Sequence, residues 1–173
     1  MFFHTLRRRL ACLARPPTPR DWVETPFAAG LFALIALPLA RAAGLITGFE
    51  WPGLGSALLL FGRVFVVPAL LEEVVFRALL NPPPGRATHR ARLGWGAFSL
   101  FVYVAMHPLS ALLFRPSAVD VFTSPAFLLL VSLLGLLCLV LYVRSGSLWG
   151  SVALHAVVVT GWALGGGLER LAG

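Results

Sequence analysis

The stretch LLEEVVFRALL, Leu70–Leu80, places two adjacent glutamates and an arginine inside a run that is otherwise entirely apolar. The chain around it has 173 residues, of which 58% are hydrophobic and only 12% are charged, and its mean hydropathy is +0.86. These values exceed what the core of a water-soluble domain requires. We therefore predict an all-α fold, a polytopic membrane helix bundle in which the three charges face protein or water rather than lipid.

Five apolar segments have about the 20 residues that are needed to cross roughly 30 Å of hydrocarbon. They cover residues 27–46, 55–80, 93–114, 126–143 and 147–167. Residues 27–173 are thus predicted to form one membrane domain of about five transmembrane helices. The fourth connection, RSGS at 144–147, is so short that the last two spans should be antiparallel neighbours.

Residues 1–26 form a basic segment that precedes the first predicted span. Its apolar residues recur at helical spacing on the face opposite three arginines, which is typical of a short helix on a membrane surface. The alternative is a disordered basic tail. The apolar positions are Phe2, Phe3, Leu6, Leu10 and Leu13, and the arginines are Arg7, Arg8 and Arg9.

The net charge of +7 comes from arginine alone, because all 14 basic residues are Arg. Short cytoplasmic loops of membrane proteins carry an excess of such residues, and basic side chains there contact anionic lipid headgroups. We therefore expect a protein of a bacterial inner membrane with its N-terminus in the cytoplasm, and no nucleic-acid partner. The predicted cytoplasmic arginines are Arg7, Arg8, Arg9, Arg15, Arg20, Arg86, Arg90, Arg92 and Arg144, against Arg41, Arg115 and Arg170 outside.

The spacing of the three charges gives the two glutamates different surroundings. Glu73 and Arg77 are four positions apart and share a helix face, so they can form an ion pair. Glu72 is rotated by about 100° from Glu73 and is free to face another helix, where it can take part in proton transfer. A structural ion pair that fixes helix register is the alternative, although it leaves Glu72 unexplained.

His107 and His155 are the other ionisable residues deep in predicted spans. At 1.5 Å per residue, Glu72 and His155 both lie about 12 Å from the inner face, and His107 lies slightly deeper. The three side chains can therefore meet within one bundle. They are suitable zinc ligands, although no HExxH motif is present, and they can equally activate a water directly. A lone intramembrane histidine is otherwise a helix-packing residue.

Three segments together resemble the CPBP group of intramembrane proteases, which includes the CAAX prenyl endopeptidases and relatives linked to abortive infection and bacteriocin processing. The segments are EEVVFR at 72–77, YVAMH at 103–107 and GSLWGSVALHAVVV at 146–159. The resemblance covers about residues 60–160, which we predict to be the protease-like core. It implies a glutamic-type hydrolase, formerly described as a metalloprotease, that acts on a membrane-anchored protein or peptide.

The resemblance also implies a role for each matching residue. Glu72 and His107 activate the hydrolytic water, Glu73 and Arg77 organise the site, and His155 stabilises the oxyanion. No metal cofactor is favoured. If zinc is bound instead, its ligands are Glu72, His107 and His155.

One departure from the family pattern affects the oxyanion site. The family often has Asn four positions after its last histidine, whereas this chain has Val159. Loss of one oxyanion donor typically costs about 2.7 to 4 kcal/mol of transition-state stabilisation. Trp149 and Tyr103 are candidate replacements for the missing donor.

Three hypotheses for function follow. The first is an intramembrane endopeptidase that uses Glu72 and His107. The second is a catalytically weakened relative that acts as an immunity or peptide-binding membrane protein, for which Val159 is the main support. The third is a proton-coupled carrier in which Glu72, His107 and His155 relay protons.

Overall fold

The computed structural model describes residues 2–83 and 87–168, with side chains from residue 6 onward. All regular structure in these ranges is helical, and five of the helices are long and apolar enough to cross a membrane. The predicted all-α bundle of five spans is therefore confirmed. The helices are α1 Phe2–Leu10, α2 Pro19–Ala42, α3 Leu54–Leu79, α4 His89–Phe114, α5 Val119–Phe122, α6 Pro125–Ser145 and α7 Trp149–Gly167.

Large apolar side chains cover the outside of the bundle. Phe27, Leu34, Phe101 and Phe114 are each at least 70% exposed, whereas the charged Glu73 and Arg77 are almost fully buried. In a water-soluble protein this distribution would be reversed. It fits helices whose outer surface contacts lipid and whose interior holds the polar groups.

The first span begins at Pro19 and ends at Ala42, so the predicted range of 27–46 was wrong at both ends. Thr18 caps the helix, because its hydroxyl accepts a hydrogen bond from the Asp21 amide at 3.3 Å and Asp21 Oδ2 accepts one from the Thr18 amide at 2.7 Å. This reciprocal capping box starts the helix in polar sequence. A count of apolar residues misses such a start.

Helix α3, which carries the three intramembrane charges, is irregular. Val67 has non-helical φ and ψ of −137° and 113° immediately before Pro68, and wider π-helical turns cover Val74–Leu79. Such turns often occur at functional sites. Near the end of the helix the carbonyl of Phe76 accepts hydrogen bonds from Asn81 Nδ2 at 2.6 Å and from the Ser99 hydroxyl, so α3 is tied to α4.

Helices α4, α6 and α7 frame the other side of the bundle. Helix α4 continues without a break through Pro108. Helix α6 ends at Ser145, and the φ of 69° at the following Gly146 permits the tight turn into α7. The Ser151 hydroxyl then donates to the Cys138 carbonyl at 2.8 Å, which ties α6 and α7 together as the predicted antiparallel neighbours.

The N-terminal segment forms helix α1 and then packs on the end of the bundle where α3 stops and α7 starts. The Arg9 guanidinium donates to the carbonyls of Leu79 and Asn81. The Leu13 carbonyl accepts from Trp149 Nε1 at 3.0 Å. Cys12 is buried beside these contacts, and its burial raises the pKa of its thiol. The segment is therefore attached to protein, and it joins the two helices that carry Glu73 and His155.

Candidate active site

A buried ion pair stands at the centre of the bundle. Arg77 Nε lies 3.1 Å from Glu73 Oε2, and both side chains are almost completely inaccessible. Arg77 also donates from Nη2 to the Gly135 carbonyl at 3.1 Å, and its guanidinium carbon lies 4.9 Å from the centre of the Tyr103 ring. Burial of a charge is tolerated only with such partners. The pairing predicted from the spacing is confirmed.

Glu73 also binds a histidine from another helix. His155 Nδ1 lies 2.9 Å from Glu73 Oε1, and because a carboxylate accepts, Nδ1 carries the proton and donates. The bond fixes the orientation of the imidazole. His155 Nε2 is thereby directed toward Glu72, whose Oε2 atom lies 3.8 Å away.

Glu72 differs from its neighbour in its surroundings. Its side chain keeps 18% of its surface exposed, whereas Glu73 keeps none. Glu72 Oε2 is itself buried and has no hydrogen-bond partner among the residues the structure describes. A buried polar atom without a partner is costly, and such atoms are concentrated at functional sites. Because Glu73 is fully buried and is held by both Arg77 and His155, the partly exposed Glu72 is the carboxylate able to accept a proton from a bound molecule.

His107 faces the same space from α4. Its Nδ1 atom lies 2.9 Å from the Tyr103 carbonyl, so Nδ1 donates and Nε2 remains as the other ring nitrogen. The ring also makes edge contacts with Tyr103, Phe122 and Phe127 at centroid distances of 5.1, 5.8 and 5.7 Å. The structure thus joins Glu72, Glu73, Arg77 and His155 directly, and it places His107 among aromatic rings beside them.

One cavity of about 800 Å³ is lined by Glu72, His107 and His155 together. Most of its wall is apolar, and its lining extends along α2, α4, α6 and α7 away from the N-terminal segment as far as Phe49 and Arg115. The connection between α4 and α6 folds back over it, because Phe122 stacks on Phe127 at 4.8 Å.

Glu72, His107 and His155 are the three candidate zinc ligands. Within residues 2–83 and 87–168, no group of three or more His, Cys, Asp or Glu side chains is arranged to hold a metal ion. His155 keeps Nε2 as its possible ligand atom, because its Nδ1 donates to Glu73. The zinc alternative therefore stays a prediction, to be tested by chelation.

The two replacement donors proposed from the sequence have different outcomes. The prediction of Trp149 as a donor is wrong, because its Nε1 donates to the Leu13 carbonyl at the end of the bundle. Tyr103 lines the cavity and packs its ring against both His107 and His155. Val159 lines the cavity as well, so an amide at that position would face the same space.

Sequence reasoning missed Gly135. Its carbonyl binds Arg77, and a Cβ at this position would lie 2.7 Å from Leu100 Cδ1 and 2.8 Å from Tyr103 Cδ1. Only glycine lets α6 approach Tyr103 this closely. A glycine within an apolar span was a weak signal for such a contact.

The sequence profile of the family described as type II CAAX prenyl endopeptidase Rce1-like matches residues 54–160. The chain belongs to this family. The match contains all five candidate site residues. This Rce1-like chain is accordingly an integral membrane protein. Its family consists of proteases that act on membrane-associated proteins. No curated protein and no solved structure matches it.

Proposed function

We propose that the protein is a membrane-embedded glutamic-type endopeptidase that hydrolyses a peptide bond of a membrane-associated protein or peptide. One observation carries this proposal. The buried Oε2 atom of Glu72 has no hydrogen-bond partner among the described residues, yet it faces a cavity and lies 3.8 Å from an oriented His155. A carboxylate in that position can accept a proton from a water held against a substrate carbonyl.

The reaction begins with water in the cavity. Glu72, assisted by Nε2 of His107, takes one proton from the water, and the resulting hydroxide oxygen bonds to the carbonyl carbon of the substrate. The C–N bond then breaks, and the amine leaves with the proton that Glu72 or His107 had taken. Both side chains return to their starting states, as general acid–base catalysis requires.

His155 stabilises the oxyanion formed in the first step. Its Nδ1 donates to Glu73, so Nε2 is the nitrogen that can donate to an oxyanion held beside Glu72. Donors that are fixed before the reaction stabilise developing charge most effectively.

The proposed orientation has the N-terminus in the cytoplasm of a bacterial inner membrane. Support comes from the distribution of arginines, because most of them lie at the end of the bundle where α2 and α7 start. Impermeant thiol reagents applied to single-cysteine variants at each end of the bundle would test it. Labelling in intact cells at the arginine-rich end would contradict it.

Val159 supports a second candidate function. Because it lines the cavity four positions after His155, where the family often has Asn, the site lacks one potential oxyanion donor. A weakened hydrolase that holds a peptide in this cavity, as an immunity or peptide-binding protein would, is the alternative.

Reconstitution into vesicles with lipid-anchored peptides separates these functions. Mass spectrometry in water enriched in ¹⁸O should show one solvent oxygen in the new carboxyl terminus of the product. Cleavage should continue in the presence of a chelator. Peptide binding without any cleavage would favour the alternative, and loss of cleavage on chelation would restore the zinc hypothesis.

A further inference from the structure

Arg92, in the first turn of α4, carries a buried nitrogen without a partner. Its Nε atom has no hydrogen-bond partner among the residues that the structure describes. A buried donor on a charged group is costly when it stays unpaired. The side chain as a whole is only partly buried, so a ligand from outside the bundle can reach its guanidinium.

The fold places Arg92 beside the end of α3. Gly96 lies one turn further along α4 on the same face, and a Cβ there would lie 3.9 Å from Oδ1 of Asn81. Ser99 lies one turn beyond Gly96, and its hydroxyl donates to the Phe76 carbonyl. Arg92 therefore lies one turn nearer the membrane surface than the contact of α4 with Asn81.

The length of α4 puts Arg92 close to the lipid headgroups. The helix has 26 residues and is about 39 Å long, whereas the hydrocarbon layer is roughly 30 Å thick. The difference leaves about three residues at each end of α4 among the headgroups. Arg92 comes directly after the first three residues of α4, so its backbone lies at the edge of the hydrocarbon. From there an arginine side chain extends to the level of the lipid phosphates.

Carboxylates at this end of the bundle are occupied elsewhere. Among the described residues, only Asp21 and Glu24 lie here, and both are on α2. Asp21 accepts from Thr18, and Glu24 pairs with Arg20 and Arg144. The first turn of α4 itself contains no acidic residue. An anion that pairs with Arg92 therefore has to come from the surroundings.

We propose that Arg92 binds the phosphate group of an anionic phospholipid beside the end of α3. A guanidinium can donate from Nε and from a terminal nitrogen to two phosphate oxygens at once, which would satisfy the buried Nε. Arg9 adds positive charge at the same place, because its guanidinium donates to the carbonyls of Leu79 and Asn81. The inference concerns binding and does not depend on the proposed hydrolysis.

A phosphate at Arg92 would also support the active site. Arg92, Gly96 and Ser99 share one face of α4, and Ser99 holds the carbonyl of Phe76. Phe76 directly precedes Arg77, which pairs with Glu73. A lipid that binds the folded protein at this position should therefore stabilise it against unfolding.

The first experiment measures stability with and without the lipid. Protein in maltoside micelles, which contain no phosphate, is heated alone, with phosphatidylglycerol and with phosphatidylcholine, and unfolding is followed by circular dichroism. Phosphatidylglycerol should raise the unfolding temperature of the wild type more than phosphatidylcholine, whose choline balances its phosphate. Arg92→Gln should lose most of this gain. Because the gain on adding lipid is compared, a general loss of stability in the variant does not affect the test, and equal gains in both proteins would overturn the proposal.

The second experiment measures binding of phosphatidylglycerol by native mass spectrometry. Arg92→Gln should weaken binding of the first lipid about 10-fold, the size of a charge-assisted hydrogen bond. Arg92→Lys should restore it only in part, because lysine keeps the charge but lacks the planar fork. Arg90→Gln is the matched control, since Arg90 is exposed in the same turn of α4 but on the opposite face. Equal weakening by Arg90→Gln would show a diffuse attraction and overturn a defined site.

Inorganic phosphate separates a lipid from a soluble ligand in the same micelles. We expect it to leave the unfolding temperature of the wild type nearly unchanged. Stabilisation as large as that by phosphatidylglycerol, and dependent on Arg92, would assign the site to a soluble phosphate and overturn the lipid. None of these measurements requires cleavage, so failure of the proposed hydrolase would leave this result standing.

Discussion

The Nδ1 atom of His155 lies 2.9 Å from Oε1 of Glu73, although the two residues are 82 positions apart in the chain. Glu73 therefore binds Arg77 on its own helix and His155 on another at the same time. This carboxylate holds two partners in place, while Glu72 beside it faces the cavity. The two adjacent glutamates thus have different roles, because Glu73 positions other side chains and Glu72 is available to react with a bound molecule.

Glu73→Gln should destabilise the protein strongly, because it removes the carboxylate that balances the buried Arg77. Removal of one partner of a buried ion pair typically costs about 3 to 5 kcal/mol. Unfolding in detergent, followed by circular dichroism, measures the change. Glu24→Gln is the control, since Glu24 pairs with the more exposed Arg20 and Arg144 and should cost no more than about 1 kcal/mol. Equal losses in the two variants would contradict the buried role.

His155→Asn and His155→Gln should separate the two nitrogens of the ring. The shorter amide of Asn lies near the position of Nδ1 and can still donate to Glu73, so that variant should stay close to wild type in stability. It removes Nε2, so the rate should fall about 100-fold, the usual effect of losing an oxyanion donor. The longer Gln reaches toward the position of Nε2 and should retain more activity at a greater cost in stability. Thermal unfolding and kcat, measured together, check this, and full activity of the Asn variant would contradict it.

Gly135→Ala should disturb the contact between α6 and Arg77, whose guanidinium donates a hydrogen bond to the Gly135 carbonyl. The added methyl group would overlap the Tyr103 and Leu100 side chains, and overpacking of this kind costs about 1 to 3 kcal/mol. Gly30→Ala is the matched control, because nothing lies within 4 Å of a Cβ at that position on α2. We expect a lower unfolding temperature for the first variant and an unchanged or higher one for the second. The reverse order would show that α6 does not pack against Tyr103 as described.

The sequence predicted the features that depend on local spacing. The five apolar segments predicted the five spans, because the length of a helix follows from its number of residues. The separation of four positions predicted the ion pair of Glu73 and Arg77, because residues four apart share a helix face whatever packs around the helix. The bond from His155 to Glu73 could not be predicted. It depends on how α3 and α7 rotate against each other and on which ring nitrogen points at which carboxylate.

The errors of the sequence analysis have physical causes. The start of α2 was placed at 27 because hydropathy ignores the capping of Thr18 by Asp21. Trp149 was proposed as a donor to the site, whereas the N-terminal segment occupies its Nε1, a contact between distant parts of the chain that spacing does not encode. The contact of Phe122 with His107 requires a loop to fold back, which spacing along the chain does not encode.

Val159→Asn should raise the rate of cleavage if the missing carboxamide limits the enzyme. The position lines the cavity, so an amide there can donate to the oxyanion. We expect kcat to rise about 10-fold or more with little change in KM. Val159→Leu, which adds bulk without a donor, is the control. An equal effect of Asn and Leu would show that shape, rather than a hydrogen bond, matters at this position.

The central claim is that Glu72 activates the hydrolytic water. Its most direct test compares cleavage of a lipid-anchored peptide by wild-type protein, Glu72→Gln and Glu50→Gln in the same vesicles, where Glu50 is an exposed glutamate outside the cavity. Gln keeps the size of the side chain but cannot accept the proton from water. Glu72→Gln should bind the peptide and leave it uncut, while Glu50→Gln should cleave like wild type. Cleavage by Glu72→Gln at the wild-type rate would contradict the mechanism.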